Sequence, residues 1–441
     1  MNVSKFRNSG EGSSPQELCR KENMIPAIGK FYSTLGNNNS LVPMAIKDIA
    51  NSLGLTAGSY VTGDKLEGKD RFIDEFGTQA IWLFGIPAYK KILDLTLYKI
   101  LKIDPKFDVR KLNENRKSIL EKSVQYADSS IKESMQNALK NPKFTKNLAI
   151  GKFIVSTGLT ILSYWGLTKY RHKYTEKAAK KEILAEIPKE NKQSQNQPSF
   201  TGGIQDFMYN PVKNLMILDG SITTERLAHS RNKQDFIGYT IKEGTFWAFM
   251  YFASKPIQKF LEKRVEKHKH ASIDLDARVI ESEELYNAFK NGNLKSSVDE
   301  ILKLDTPEKL LDYIHNNPDD FTVKMAKMSD VIPTLKKANQ SDNVDYRKFI
   351  DLDEFKSVAE KLKKLYGKFE EFKLTDAADK SLETFLKQVK KLKRRATLSN
   401  IGACISVLGI FAPAVMVAVR KFGKGEFQVK EDLKKKMTFD A

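Results

Sequence analysis

The chain has 441 residues, 41% of them hydrophobic and 29% charged, and its 74 Lys and Arg against 55 Asp and Glu give a net charge of +19. That length accommodates two or three domains with full cores, and the apolar content excludes a disordered chain. Two cysteines, Cys19 and Cys404, exclude a disulfide framework and a cysteine-rich zinc module.

Residues 1–40 read as a polar tail. They lack an apolar h-region, and Glu11, Glu17 and Glu22 oppose a transit peptide. A first unit follows over 41–172. Its stretch 76–89, FGTQAIWLFGIPAY, is too short to cross a bilayer alone and stops at Lys90 and Lys91. The unit ends in 148–168, LAIGKFIVSTGLTILSYWGLT, which reads as a membrane span. Lys152 near its start can snorkel, and Tyr164, Trp165 and Tyr170 lie where an aromatic belt forms. Lys169, Arg171 and Lys173 close it as headgroup contacts.

Residues 173–203 begin as a basic helix and end in Gln, Asn, Ser, Pro and Gly, the composition of a linker. A second unit opens over 204–280. Its stretch 244–254, GTFWAFMYFAS, is again short and is stopped by Lys255. Both short stretches are compatible with a tilted span, a re-entrant helix, an interfacial helix or a core helix.

Residues 281–396 read as an inserted soluble helical domain. Ser297-Val-Asp-Glu300 has the capping-box pattern, and Thr306-Pro-Glu is a helix start with proline at N1. Phe355, Val358, Leu362, Leu365 and Phe369 recur at helical spacing. Thr375 is expected to cap the next helix, whose Leu382, Phe385, Leu386, Val389 and Leu392 share one face.

That helix runs into the strongest signal, within 397–422. Residues 401–419, IGACISVLGIFAPAVMVAV, carry no charge. Such a helix is ~28 Å long, close to the hydrocarbon thickness of a bilayer. Its small residues Gly402, Ala403, Ser406 and Gly409 suit close helix packing. Lys393, Arg394 and Arg395 before it, and Arg420 and Lys421 after it, are placed for lipid headgroups. The alternative is a buried central helix of a soluble domain. Both flanks of both spans are basic, so charge sets no orientation. Residues 423–441 read as a second polar tail.

The two halves share an order of features. Gly58-Ser59 matches Gly220-Ser221, and Phe72-Ile73 matches Phe236-Ile237. Glu75 with Gly77-Thr78 matches Glu243 with Gly244-Thr245. Pro87 and Lys90 match Pro256 and Lys259. Asp108-Val-Arg110 matches Asp276-Ala-Arg278, and Asn147 matches Asn400. This predicts an internal duplication, with Gly58 and Gly220 as turns.

Catalytic signatures are missing: no Walker loop, no G-x-G-x-x-G after a strand, no G-x-S-x-G. His268-Lys-His270 reads as a solvated face rather than a ligand pair. No cofactor or metal is expected, and the chain reads as a non-enzyme. Glu75 and Glu243 are the carboxylates of interest. Each enters an aromatic apolar stretch, and an ionisable group at membrane depth often marks an ion or substrate path. The plainer reading, first-turn glutamates with Arg71 or Lys242 as partners, is the stronger. Asp108/Arg110 and Asp276/Arg278 read as helix-start or inter-helix pairs.

The expectation is therefore an all-α, duplicated membrane protein with two to four spans and an inserted helical domain, in a plasma or inner membrane. Its negative mean hydropathy places much of its mass in water. Three roles fit: a scaffold binding anionic lipid or a protein partner at 281–396, a small-solute transporter or channel, and a soluble basic binding module. Dense cations at the ends of the apolar helices favour lipid headgroups over a nucleic-acid groove.

Overall fold

The computed structural model describes residues 35, 41–62, 65–113, 116–183, 208–230, 233–335, 343–375 and 380–422. The predicted tails, apart from Leu35, and most of the predicted linker lie outside them. Among the described residues the fold is all-α, without a strand; Thr334 and Val344 make one isolated antiparallel bridge.

Six helices and two π turns build a bundle. They are α1 (Val42–Thr62), α2 (Lys65–Leu93), α5 (Pro142–Ile183), α6 (Pro211–Ala228), α7 (Lys233–Trp247) and α16 (Ala412–Phe422), with π turns Ala248–Phe252 and Val407–Phe411. Local chemistry sets the starts. Asn210 caps α6 by accepting from Lys213 N, with Pro211 at N1. Asn141 accepts from Phe144 N at 3.1 Å ahead of α5.

Pairing within the bundle is specific. The most extensive contact is α2 on α5, with Gly77 against Leu167 and Gly85 against Thr160. α7 packs on α16, with Gly238 facing Met416. α1 packs on the π turn Val407–Phe411 and on α16, whereas α6 packs on α5. Gly58 and Gly220 therefore lie inside α1 and α6 rather than in turns. Trp82, Ile86, Tyr164, Leu218, Phe246, Met250 and Leu408 fill the apolar part of the interior.

Two of the π turns have a cause in the sequence. Proline clashes with the carbonyl four residues earlier and removes a helical hydrogen bond. Pro256 acts in this way on Phe252 and Pro413 on Gly409, and both of those carbonyls belong to the π turns. A third π turn, Asp94–Tyr98, ends α2.

The rest is a helical domain. α3 (Lys117–Tyr126) and α4 (Ser129–Lys140) come from the first half. α9 (Ala277–Glu281), α10 (Glu283–Lys290), α11 (Asn293–Leu302), α12 (Pro307–Asn316), α13 (Phe321–Met328) and α14 (Leu352–Lys373) come from the second. One hydrophobic core joins them, from Phe107, Ile119 and Met135 through Ile273 and Leu310 to Phe355, Leu362 and Phe385. The core thus starts before residue 281 and takes in the first half's 107–138. Polar contacts tie the halves: Tyr126 Oη donates to Asp312 at 2.6 Å, and Arg347 reaches Asp104 at 2.8 Å. Burial alone would raise the Asp104 carboxyl, but the Arg347 guanidinium holds it below its usual value.

Thr306 caps α12 and Pro307 starts it, as its sequence predicts. Two other expected caps differ. Ser297 lies within α11, its hydroxyl shared with Asp320 and Thr322. Thr375 donates back to Phe372 O, and Ser381 caps the next helix instead.

Helices α8 (Ser254–Lys269) and α15 (Leu382–Ser406) connect domain to bundle. They pack on each other. Gln388 donates to Lys269 O, and Asn400 donates to Ser254 and Gln258. α15 carries its apolar face of Phe385, Leu386 and Val389 in the domain and continues into the charge-free stretch.

Candidate functional site

Inside the bundle four helices bring their ionisable residues to one layer. α2 supplies Asp70, Arg71, Asp74 and Glu75 on successive turns. α5 supplies Arg171, α6 supplies Arg226, and α7 supplies Lys242 and Glu243. All are buried. Arg171 Nη1 lies 2.7 Å from Asp74 Oδ2, and Arg226 Nη2 lies 3.2 Å from Asp74 Oδ1. Arg226 Nη1 binds Glu243 Oε1 at 2.7 Å. Lys242 Nζ binds Glu75 Oε1 at 2.7 Å and stands 3.5 Å from Glu243. Arg71 completes the layer at 3.5–3.6 Å from Glu75 and Asp74. Thr175 donates to Asp70 at 2.6 Å and Thr223 to Glu243 at 2.9 Å.

Aromatic faces cover the cations: Arg226 lies over Tyr164 and Arg71 over Tyr239. The layer pairs each buried ion with opposite charge, the condition under which buried ions are tolerable, although Arg171 Nε and Arg226 Nε are buried without a hydrogen-bond partner.

Beside it lies a small polar cavity, with room for a water-sized guest. Asp48, Asn51, Gln79, Trp82 and Asp219 line it, together with Glu75, Arg226, Lys242 and Glu243. Trp82 Nε1 donates to Asp219 Oδ2 at 3.2 Å, and the Tyr251 hydroxyl donates to the same oxygen. Gln79 Nε2 donates to Asp48 Oδ2 at 3.3 Å.

The structure thus brings Glu75 and Glu243 together on one cavity wall, bridged by Lys242. Sequence reasoning missed Asp48, Asn51, Arg226 and Asp219. Their one signal was polar residues at helical spacing within otherwise apolar segments.

The expected headgroup cations divide. Lys169 and Arg395 are exposed. Arg171 and Lys393 are not placed to touch lipid headgroups: Arg171 is enclosed by Asp74 and Asp70, and buried Lys393 donates to Ile273 O at 2.7 Å. Arg394 forms a bidentate pair with Glu281 at 2.7 Å, which draws it into the domain. Arg420 and Lys421 lie on α16, but their side chains fall outside the described residues.

The paired Asp-x-Arg tripeptides are helix starts. Asp108 and Asp276 each accept from the backbone N of the arginine two residues on and grip its guanidinium. Asp345-Tyr-Arg347 repeats the geometry a third time. Its tripeptide pattern made it findable.

Among the described residues no cluster of three or more His, Cys, Asp and Glu is arranged to hold a metal ion. His268 and His270 are exposed at the end of α8, and Cys404 is fully buried. Two helical stretches, Pro142–Lys181 and Leu382–Val419, are long and apolar enough to cross a membrane. The segments 76–89 and 244–254 fall within or across shorter helices. Comparison with family models, curated proteins and solved structures finds no match for this chain.

Proposed function

We propose that the chain is an integral membrane protein, held in a bilayer by α5 and by the run from α15 to α16, and that it acts as a non-enzymatic scaffold. One observation carries this reading: the bundle encloses a layer of ionisable side chains and turns apolar side chains outward. Eight ionisable side chains occupy the interior, while Ile154, Val155, Leu159 and Leu162 of α5 and Ile410 and Phe411 of the last π turn face outward. Only 28% and 33% of the two apolar windows is buried within the protein. A core helix of a soluble domain is mostly enclosed, whereas a helix in lipid shows its apolar side to the solvent it sits in.

On this reading the helical domain stands at one membrane face, coupled to the bundle by the continuous α15. Exposed Lys387, Lys391 and Arg395 recur every four residues along α15, and Lys255, Lys259 and Lys263 do so along α8. These stripes adjoin the apolar window and suit anionic headgroups, at ~1 kcal/mol for each cation near the surface. The domain then offers a docking surface to a protein partner.

The duplication belongs to the same proposal. α1 and α6 each pack on the other half's long apolar helix, and α2 and α7 each pack on their own half's. Two interlocked copies of one unit account for that exchange.

Resistance of the membrane-bound chain to carbonate extraction, with cysteines placed in 148–168 and 401–419 shielded from aqueous reagents, is the expected result. A compact monomer stable without detergent would overturn it and leave the soluble binding module. A transporter is the second reading, favoured by Glu75 and Glu243 lining a common cavity. It requires solute flux in proteoliposomes that the folded Glu75→Gln/Glu243→Gln double variant loses.

A further inference from the structure

The buried layer balances its own charges, but the cavity beside it does not. Four cations, Arg71, Arg171, Arg226 and Lys242, meet four carboxylates, Asp70, Asp74, Glu75 and Glu243. Those eight neutralise one another. Asp48 and Asp219 on the same cavity are two further acids, and among the described residues no cation lies within salt-bridge distance of either. Asp219 is 5% exposed. Trp82 and Tyr251 donate to one of its oxygens, but hydrogen bonds from neutral donors do not offset a full buried charge.

A second observation points to a guest. Asn51 is 2% exposed and lines the cavity, yet among the described residues its side chain has no hydrogen-bond partner. Buried amides are nearly always bonded, so an amide facing a water-sized space marks a polar occupant. The space takes one water and no organic solute. Lys242 and Arg226 on the same wall repel a metal cation, which would have to displace them from their carboxylates.

We propose that this cavity is a proton-binding site, in which Asp48 and Asp219 hold a proton and Asn51 holds the water that relays it. The proton comes from hydronium: a carboxylate takes it, becomes a neutral carboxylic acid, and leaves water behind. Asp48, only partly buried, is the entry side. The groups facing the pair are Glu75 and Gln79 from α2, Arg226 from α6, Lys242 and Glu243 from α7, and Tyr251 from the π turn. Lys47, beside Asp48 on α1, is turned away to Ser254, and 401–419 contributes no ionisable group but Cys404. The inference goes beyond the scaffold reading and does not depend on the bundle lying in a bilayer.

The test is infrared spectroscopy of the purified full chain, in detergent if it requires it, comparing wild type with Asp48→Asn, Asp219→Asn and the double variant. These near-isosteric changes mimic the protonated acid and preserve the fold, which circular dichroism checks. Wild type is expected to show a protonated-carboxyl stretch at neutral pH that disappears in the double variant. Its thermal stability should fall as pH rises from the ordinary carboxylate range to the titration of the site, because the folded state there holds a proton that the unfolded chain has lost, and should level off above it, while the double variant is flat over that window. A folded wild type without the band from about pH 5 to about pH 9 would overturn the proposal. So would a stabilisation by sodium or potassium chloride that choline chloride does not reproduce, with no band, since the occupant would then be a metal cation.

Discussion

Lys242 on α7 and Glu75 on α2 are separated by 167 residues in the chain, and their side chains meet at 2.7 Å inside the bundle. Among the described residues Lys242 is the one cation within 4 Å of both glutamates of the two aromatic stretches. Replacing it with methionine leaves two carboxylates short of a partner. Lys242→Met should cost about 3–5 kcal/mol, the range for breaking a buried ion pair from one side. Adding Glu75→Gln should recover part of that loss, because the carboxylate then left with only Arg71 at 3.5 Å is removed. Thermal melts of the four members of the cycle measure the coupling. A single variant within about 0.5 kcal/mol of wild type would mean that the pair is solvated.

Gly54 and Gly409 set the distance between α1 and the last π turn. A Cβ on Gly54 would lie 2.1 Å from the Gly409 carbonyl oxygen and 2.9 Å from the Pro413 ring. The obstacle is backbone, which cannot rotate away. Helix propensity favours alanine over glycine by ~1 kcal/mol, but the clash should dominate and Gly54→Ala should lose about 1–3 kcal/mol. A methyl group on Gly151 of α5 would meet nothing within 4 Å, so Gly151→Ala is the matched control and should be neutral or slightly stabilising. Equal melting temperatures for the two variants would remove the close approach.

The helical class was legible because apolar residues at three- and four-residue spacing recur from Phe355 to Phe369, and capping residues precede several helices. The two long apolar helices were legible for a simpler reason: a long run with one charge or none needs no tertiary information. What failed was anything that depended on which helices become neighbours. Arg171 looked like a headgroup cation because it follows an apolar run, but α2 places Asp70 and Asp74 beside it. Gly58 looked like a turn because glycine permits one; it lies inside α1, where a Cβ would make ordinary contact with Val417 at 3.5 Å. Ser297 matched a capping pattern, but α11 starts earlier, at Asn293, and the hydroxyl serves Asp320 and Thr322. Asp219 could not be told from a solvated aspartate until Trp82 and Tyr251 were seen around it.

Lys111 provides a pH test in the helical domain. It is 1% exposed, and its ammonium donates to Ser123 Oγ at 2.8 Å and to Tyr346 O at 2.5 Å. Burial pushes its pKa down to about 7, against the pull of Asp108 and Asp345. A lysine whose folded pKa is depressed binds fewer protons folded than unfolded between the two values. Stability from this group therefore rises with pH across that window, and its burial penalty is complete below about 7. Wild type should gain stability relative to Lys111→Met between about pH 7 and about pH 10, with the difference constant at lower pH. Parallel stability curves for the two proteins would show that the ammonium is not desolvated.

Ile410 decides between lipid and water as the solvent of the bundle. It lies at the centre of the charge-free stretch 401–419 and is 68% exposed. On a soluble protein, an exposed Ile→Lys change away from other features stays within about 0.5 kcal/mol of wild type. At the centre of a membrane helix the same lysine costs about 2.5–3.5 kcal/mol of insertion free energy. Lys169, immediately after the other span, is the control, since Lys169→Ile changes a charge at the edge and not at mid-depth. If the bundle is embedded, Ile410→Lys should sharply reduce the carbonate-resistant fraction while Lys169→Ile leaves it near wild type. If both variants are recovered in the aqueous fraction with unchanged melting curves, the outward apolar face meets water, and the scaffold and transporter readings fail together.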